Sequence, residues 1–158
     1  MRKSRLIQLQ QIDGLKKSLE FKGQSIVFTN GCFDIIHAGH IHLLKQASQF
    51  GDILIVGLNS DDSIKRLKGI ARPINILEDR IAVLESIRFV DFIIVFEEDT
   101  PIKLIEAILP NVLVKGADYV KTEVVGYDLV VGNGGAVECV PLLEGRSSSL
   151  LIEKSKNS

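Results

Sequence analysis

Two of the chain's three histidines, His37 and His40, stand three residues apart around Gly39, where a short apolar run gives way to a helical pattern. At this spacing both imidazoles can face one mouth. Each can donate a hydrogen bond to a phosphate oxygen, more strongly when protonated. Gly39 removes a side chain where the backbone enters the helix, and the unpaired amides of that helix start suit an anion. Gly31, six residues before His37, permits a tight turn close to a ligand. One histidine near a helix start is most often a cap or a surface residue. Two of them bracketing a glycine, directly after a buried strand, point to phosphate chemistry. His42 reads as a partly exposed side chain on the same helix.

The elements that must hold this loop follow from periodicity. Apolar, β-branched runs at residues 25–28, 53–58, 92–96, 112–115 and 137–142 read as buried strands. Helical spacing appears between them: Ile41, Leu44 and Ala47, with Gly51 as a C-terminal cap, then Ile81, Leu84 and Ile87. Residues 100–110 form the best-punctuated helix. Thr100 can serve as the cap, Pro101 fits the first position, Ile102, Ile105 and Leu109 line one face, and Pro110 ends it. Residues 6–19 and 121–131 are weaker helical segments. Apolar strands alternating with helices predict a single doubly wound α/β domain with a five-stranded parallel sheet. In such sheets ligands bind beyond the carboxyl ends of the strands, which is where His37 and His40 lie. Residues 1–22 are expected as an N-terminal helical extension and residues 23–158 as the domain itself.

Composition excludes several classes. The chain has 158 residues, 46% apolar and 25% charged, with a net charge of −1. That balance suits one globular core and gives no bulk attraction for nucleic acid. Cys32 and Cys139 lie far apart and outside any CxxC pattern, against zinc ligation or a disulfide framework. No apolar run is long enough to cross a bilayer, and no long apolar h-region follows the basic residues 1–5, so no signal peptide is expected. A cytoplasmic, soluble protein is expected.

His37-Ala38-Gly39-His40, preceded by Gly31-Cys32-Phe33-Asp34, resembles the HxGH signature of the nucleotidyltransferase superfamily. The resemblance implies that the histidines contact the triphosphate at the bond that breaks. It also implies that Gly31, Cys32, Phe33 and Gly39 form the nucleotide-binding loop. From about Phe21 onward the likeness narrows. Asn59-Ser60-Asp61-Asp62, Lys65-Arg66-Leu67-Lys68-Gly69, Arg72-Pro73, Phe96-Glu97-Glu98-Asp99-Thr100-Pro101 and Val114-Lys115-Gly116-Ala117-Asp118-Tyr119 follow in order. This series is similar to the family of D-glycero-β-D-manno-heptose 1-phosphate adenylyltransferases. That activity is commonly half of a bifunctional protein with a sugar kinase, and this chain resembles a stand-alone version. The likeness implies ATP and a sugar 1-phosphate as substrates, an ADP-heptose for lipopolysaccharide as product, and a homodimer.

A second family signature is matched by Gly145-Arg146-Ser147-Ser148-Ser149, whose Ser147, Ser148 and Ser149 would hold the β- and γ-phosphates. The cytidylyltransferase branch carries an arginine three residues before that glycine, where this chain has Leu142. A CTP-dependent enzyme acting on a small polyol phosphate is therefore the alternative. A nucleotide-binding regulatory module without turnover, and a flavodoxin-like interaction domain, are weaker rivals.

A phosphate monoester is already anionic at neutral pH, so the reaction needs no general base, only alignment and charge stabilisation. His37, His40 and Lys68 are expected as the catalytic set, with Lys65 and Arg66 on a solvated helix face. Lys115, Gly116 and Asp118 follow the fourth strand and are expected at the nucleoside, Gly116 by letting it lie against backbone. Arg72 and Arg80 are candidates for the sugar phosphate, Arg80 with surface ion pairing to Glu78 or Asp79 as its ordinary reading. Asp34 is a candidate for sugar hydroxyls or for pairing with a loop residue. Mg²⁺ is expected on the triphosphate, held mostly by substrate and water, with no protein carboxylate cage.

Overall fold

A computed structural model of the chain describes residues 4–116, 120–141, 143 and 147–156, and the side chains of all of these except Phe21, Ser148 and Ser149. Five parallel strands form one sheet: β1 (Ile26–Gly31), β2 (Ile53–Asn59), β3 (Phe92–Phe96), β4 (Val112–Gly116) and β5 (Ala136–Val140). The helices among the described residues are α1 (Ile12–Phe21), α2 (Ala38–Ala47), α3 (Asp61–Lys68), α4 (Leu77–Ser86), α5 (Ile102–Ile108), α6 (Tyr127–Gly132) and α7 (Ser148–Lys156).

Side chains alternate across each strand, so both faces of the sheet become core. Ile26, Phe28, Ile55, Ile94, Leu113 and Val137 meet Ile12 and Leu19 of α1, Leu104, Ile105 and Ile108 of α5, and Val130 of α6. Val27, Leu54, Val56, Leu58, Ile93, Val114 and Val140 meet Leu44 and Ala47 of α2 and Leu84 of α4 on the other face. Each such side chain contributes roughly 1.5–3 kcal/mol by leaving water. The near-continuous apolar runs seen in the sequence are the result.

The strand order is β3-β2-β1-β4-β5. The chain winds outward from β1 in one direction, then returns to start again on its other side. β1 and β4 therefore flank the point where the winding reverses. They pair only at Val27 with Val112 and Phe28 with Leu113. Beyond that the two strands part, and their carboxyl ends open a crevice of the kind that binds nucleotides.

Four local readings are corrected. Residues 5–7 are extended, not helical: Ile93 N donates to Arg5 O and Ile7 N to Ile93 O, both at 2.9 Å, beside the edge strand β3. Glu85 Oε1 holds this strap, accepting from Ser4 Oγ at 2.6 Å and Arg5 N at 2.8 Å. Covering a sheet edge removes its unpaired peptide groups from solvent. The helix that follows begins at Ile12, and Ile12 and Leu19 are buried in the common core, so residues 1–22 include core-forming positions.

Gly51 does not cap α2, whose C-cap is Ser48. A Cβ at Gly51 would lie 2.7 Å from Val27 Cγ2 and 2.8 Å from Ser25 Oγ, so the glycine serves close approach to β1. Helix α5 begins at Ile102 with Pro101 in the capping position, and Pro101 O accepts from Ile105 N at 2.9 Å. No side-chain cap bond is made there, so Thr100 does not act as the cap. Residues 121–123 form a 3₁₀ turn and the helix starts only at Tyr127, because Gly126 takes a left-handed φ of 91° and interrupts the run.

Candidate active site

The loop from β1 to α2 sits at the carboxyl edge of the sheet beside the crevice. His37 is the N-cap of α2, with extended φ and ψ, and its Nδ1 accepts from Gly39 N at 3.1 Å. His40 reaches back, its Nδ1 accepting from His37 N at 3.3 Å. The two histidines thus cap the helix reciprocally, as a Ser and a Glu do elsewhere. This use of Nδ1 has a chemical consequence. A nitrogen that accepts a hydrogen bond carries no proton, so each neutral ring bears its proton on Nε2 and can donate there. The capping arrangement leaves both Nε2 atoms as donors for the phosphate role expected from the sequence. The two rings lie 4.1 Å apart between centroids, tilted by 41°, and Phe33 lies 5.3 Å from the His40 ring.

Burial, with His37 and Lys68 as neighbouring positive charge, pushes the His40 imidazole down to about 4. His40 is neutral at physiological pH. Lys68, the last residue of α3, acts on His40 through its charge. Lys65 and Arg66 point outward, Lys65 pairing with Asp62 at 3.0 Å and Arg66 with Asp99 at 2.8 Å.

A cavity of about 500 Å³ opens between the ends of β1 and β4. Gly31, Cys32, Lys68 and Lys115 line it, together with Asn59, Thr100, Pro101, Val124 and Val125. Thr100, Val124 and Val125 were not anticipated; their signal was position alone, since they follow β3 and β4 at the same sheet edge. Burial lowers the pKa of the Lys115 ammonium, opposed by the neighbouring Cys32 thiol. A cation held in a half-closed, mostly apolar cleft is a strong attractor for an anion.

Gly116 also has a packing use: a Cβ there would lie 2.9 Å from Leu43 Cδ2, so the absent side chain makes room for α2. Gly31 similarly accommodates the Phe33 ring, 3.1 Å from its would-be Cβ, and Phe33 itself takes a φ of 45°. Gly39 is buried in the first turn of α2. Ser147 caps α7, its Oγ accepting from Leu150 N at 3.2 Å. Ser148 and Ser149 open that helix. Asp118, Leu142, Gly145 and Arg146 lie outside the described residues.

Asp34 and Arg80 are corrected as direct sugar-phosphate ligands. The Asp34 side chain is 1% exposed. Its Oδ2 accepts from Arg72 Nε at 2.7 Å, while Oδ1 accepts from Ile74 N at 2.9 Å and Asn75 N at 2.8 Å. Burial raises its pKa, but those bonds to the charged form outweigh it and leave the carboxyl below its usual value. Asp34 is therefore the loop partner, not a sugar ligand, because its lone pairs are spent. Arg80 is fully buried and forms no surface pair with Glu78 or Asp79. Its Nη1 donates to Cys32 O at 2.7 Å and Asn59 O at 2.8 Å, its Nε to Asn75 O at 3.1 Å, and its Nη2 to Asp61 Oδ1 at 2.7 Å. Arg72 remains suited to an anion: Asp34 fixes its Nε, and its Nη2 is buried without an acceptor among the described residues.

Comparison with known proteins agrees with this geometry. A profile of the cytidylyltransferase-like family matches residues 28–152. The bifunctional protein HldE of Campylobacter concisus is 51% identical over 150 residues, 94% of this chain and 31% of the relative. HldE of Coxiella burnetii is 53% identical over 135 residues, 85% of this chain and 28% of the relative. The chain thus spans under a third of the length of these relatives. Among solved structures, the lipopolysaccharide core biosynthesis protein of Thermoplasma volcanium superposes with a TM-score of 0.61 at 29% identity, over 78% of this chain and 100% of that one. A pantoate-β-alanine ligase from Francisella tularensis shares the fold, with a TM-score of 0.65 at 21% identity over 93% and 69%. No helix among the described residues is long and apolar enough to cross a membrane. With the matched span enclosing the histidine pair, the crevice and four of the five strands entire, the chain belongs to the cytidylyltransferase-like family of nucleotidyltransferases.

Proposed function

We propose that the chain transfers AMP from ATP to D-glycero-β-D-manno-heptose 1-phosphate, releasing pyrophosphate and ADP-heptose. The observation that carries this reading is the reciprocal capping of α2 by His37 and His40, which makes Nε2 the donor on both neutral rings. An oxygen of the acceptor's phosphate attacks the α-phosphorus. The bond from that phosphorus to the oxygen bridging to the β-phosphorus breaks, and pyrophosphate leaves with the electron pair. No proton need move, since nucleophile and leaving group are both anions.

His37 and His40 donate to oxygens around the breaking bond, and Lys68 adds positive charge. Lys115 and the loop of Gly31, Cys32, Phe33 and Gly39 hold the nucleotide. Ser147, Ser148 and Ser149 meet the distal phosphates, and Asp118 meets the nucleoside. Arg72, with an unused buried donor, takes the acceptor's phosphate. Mg²⁺ enters as part of the ATP substrate. Among the described residues no three His, Cys, Asp or Glu side chains gather to hold a metal, and the carboxylates of Asp34 and Asp61 are committed to arginines.

The ordered motif series resembling heptose 1-phosphate adenylyltransferases supports the heptose acceptor. Half-identity to part of the bifunctional proteins named HldE supports nucleotidyl transfer, and the likeness to a lipopolysaccharide core biosynthesis protein supports a surface-glycan product. The reaction belongs in the cytoplasm, and a homodimer is the expected working form. The family name itself favours one second reading, a CTP-dependent enzyme acting on a polyol phosphate. Pyrophosphate release decides between them. Purified protein with Mg²⁺ is given ATP or CTP against the heptose 1-phosphate or glycerol 3-phosphate, with His37→Ala as control. Release confined to ATP with the heptose phosphate, and lost in the variant, is the expected result. Release only with CTP overturns the substrate assignment.

A further inference from the structure

Arg80 stands in the first turn of α4 with a side chain wholly excluded from solvent. A permanent charge in such a place is rarely a net source of stability, since a well-packed apolar residue commonly serves as well or better. What the guanidinium offers instead is a planar fork of five donors in fixed relative directions. Its four acceptors lie on three separate stretches of chain, residues 32, 59–61 and 75. Cys32 O belongs to the loop after β1 and Asn59 O to the end of β2. Asn75 O belongs to the α3–α4 loop and Asp61 Oδ1 to the first turn of α3.

Each piece carries part of the proposed site. The first leads within five residues to His37. The second and the first both line the 500 Å³ cavity through Asn59 and Cys32. Helix α3 ends at Lys68, which lines the same cavity and whose charge is felt at His40. The α3–α4 loop carries Arg72, which Asp34 anchors separately, since Asn75 N and Arg72 Nε converge on Asp34. One side chain therefore sets the spacing between the loop of the histidines, the cavity wall and the helix of the lysine, while Arg72 keeps its own anchor in Asp34.

We infer that Arg80 is a positioning residue for nucleotidyl transfer, acting through Cys32, Asn59 and Asp61 and touching neither substrate. The inference rests on the nucleotidyltransfer reading above. Lysine at this position keeps the charge but offers three donors from a single point, which cannot serve acceptors on four sides. A misplacement of about 1 Å remote from the chemistry can cost on the order of 100-fold in rate.

The test compares Arg80→Lys with Leu19→Ala, a change in the core contributed by α1 and remote from the site. ATP affinity is measured by equilibrium titration of the full chain, and kcat and KM for both substrates by steady-state kinetics. All measurements are made well below either variant's melting temperature. Arg80→Lys is expected to weaken ATP binding about 10-fold and to lower kcat by roughly 10- to 100-fold, with the acceptor KM little changed. Leu19→Ala is expected to melt earlier but bind and turn over as the native chain does. If Arg80→Lys does not fold, Asp61→Asn loosens one arm of the same fork and should give a smaller loss of the same kind. A rise in acceptor KM alone makes Arg80 a ligand and overturns the inference. So do losses that track the fall in melting temperature equally in both variants, or an Arg80→Lys enzyme with native affinity and rate. Failure of the native chain to bind ATP instead overturns the nucleotidyltransfer reading, and this inference with it.

Discussion

At the residue scale, His37 has two separable jobs, and one substitution divides them. Asparagine is a good N-cap, so His37→Asn retains an acceptor for Gly39 N but shortens the reach toward phosphate. Thermal unfolding of His37→Asn should match the native chain, while kcat falls about 10²–10³-fold, the loss typical of one preorganised donor. His37→Ala should lose the cap as well, costing about 1 kcal/mol in stability. Equal melting losses in both variants would show that the cap is not the structural role. His40 makes a second prediction. Its imidazole titrates near 4 because burial and neighbouring positive charge disfavour the cation. The unfolded chain, with an ordinary histidine, takes up that proton at higher pH. The stability owed to neutral His40 is therefore complete above about pH 6.5 and is lost as pH falls toward 4. NMR of the His40 ring should show a midpoint near 4, and ATP should raise it, since a bound triphosphate favours the charged form. A midpoint unmoved by saturating ATP would place the triphosphate elsewhere.

At the element scale, one buried carboxylate makes most of the bonds that hold the α3–α4 loop, beside the bond from Arg80 Nε to Asn75 O. Asp34 accepts from Arg72 Nε and from two successive backbone amides, Ile74 N and Asn75 N. Asp34→Asn preserves shape but removes the charge that strengthens all three bonds, for a loss of roughly 1.5–3 kcal/mol. Hydrogen exchange at the Ile74 and Asn75 amides should quicken before that of the strands, and acceptor KM should rise as Arg72 loses its anchor. Unchanged exchange there would mean the loop has other moorings. Because the folded-state pKa of Asp34 is depressed, its contribution is present above the usual carboxylate range and is lost as pH falls through the lowered value. The importance of Asp34 was legible from its motif, but its partner was not. Arg72 lies 38 residues away, and nothing local pairs them. Arg80 misled more deeply. Beside Glu78 and Asp79 it reads as surface charge, yet the turn of α4 that buries it depends on where three other loops arrive. The strap at residues 5–7 was read as helix for a related reason, since its pairing with Ile93 is a tertiary event that no local periodicity records. The strands were legible throughout, because burial on both sheet faces writes a continuous apolar run.

At the scale of the whole molecule, alternation of strands and helices was enough to predict a parallel sheet, but not the order of its strands. The order matters most for function, because only β3-β2-β1-β4-β5 sets β1 beside β4 and lets their ends diverge. The loop carrying His37 and His40 and the strand carrying Lys115 are 75 residues apart by number and meet for that reason alone. Gly116 shows the dependence running the other way. Its place in the sequence marks it as a ligand contact, and its missing side chain also seats α2 against β4 through Leu43. If ligand binding is organised by this one crevice, its effects should be confined to one edge of the sheet. Saturating ATP at 100 times its Kd should raise the free energy of unfolding by about 2.7 kcal/mol. Hydrogen exchange should slow at residues 31–40, 59–68 and 115–116, which follow or end strands at the carboxyl edge. The opposite edge, at Ser25, Gly51 and Asn111, should exchange at its unliganded rate, since no phosphate-handling side chain lies there. Protection spread evenly over both edges would mean that ATP tightens the domain as a whole, and the crevice between β1 and β4 would lose its standing as the nucleotide site.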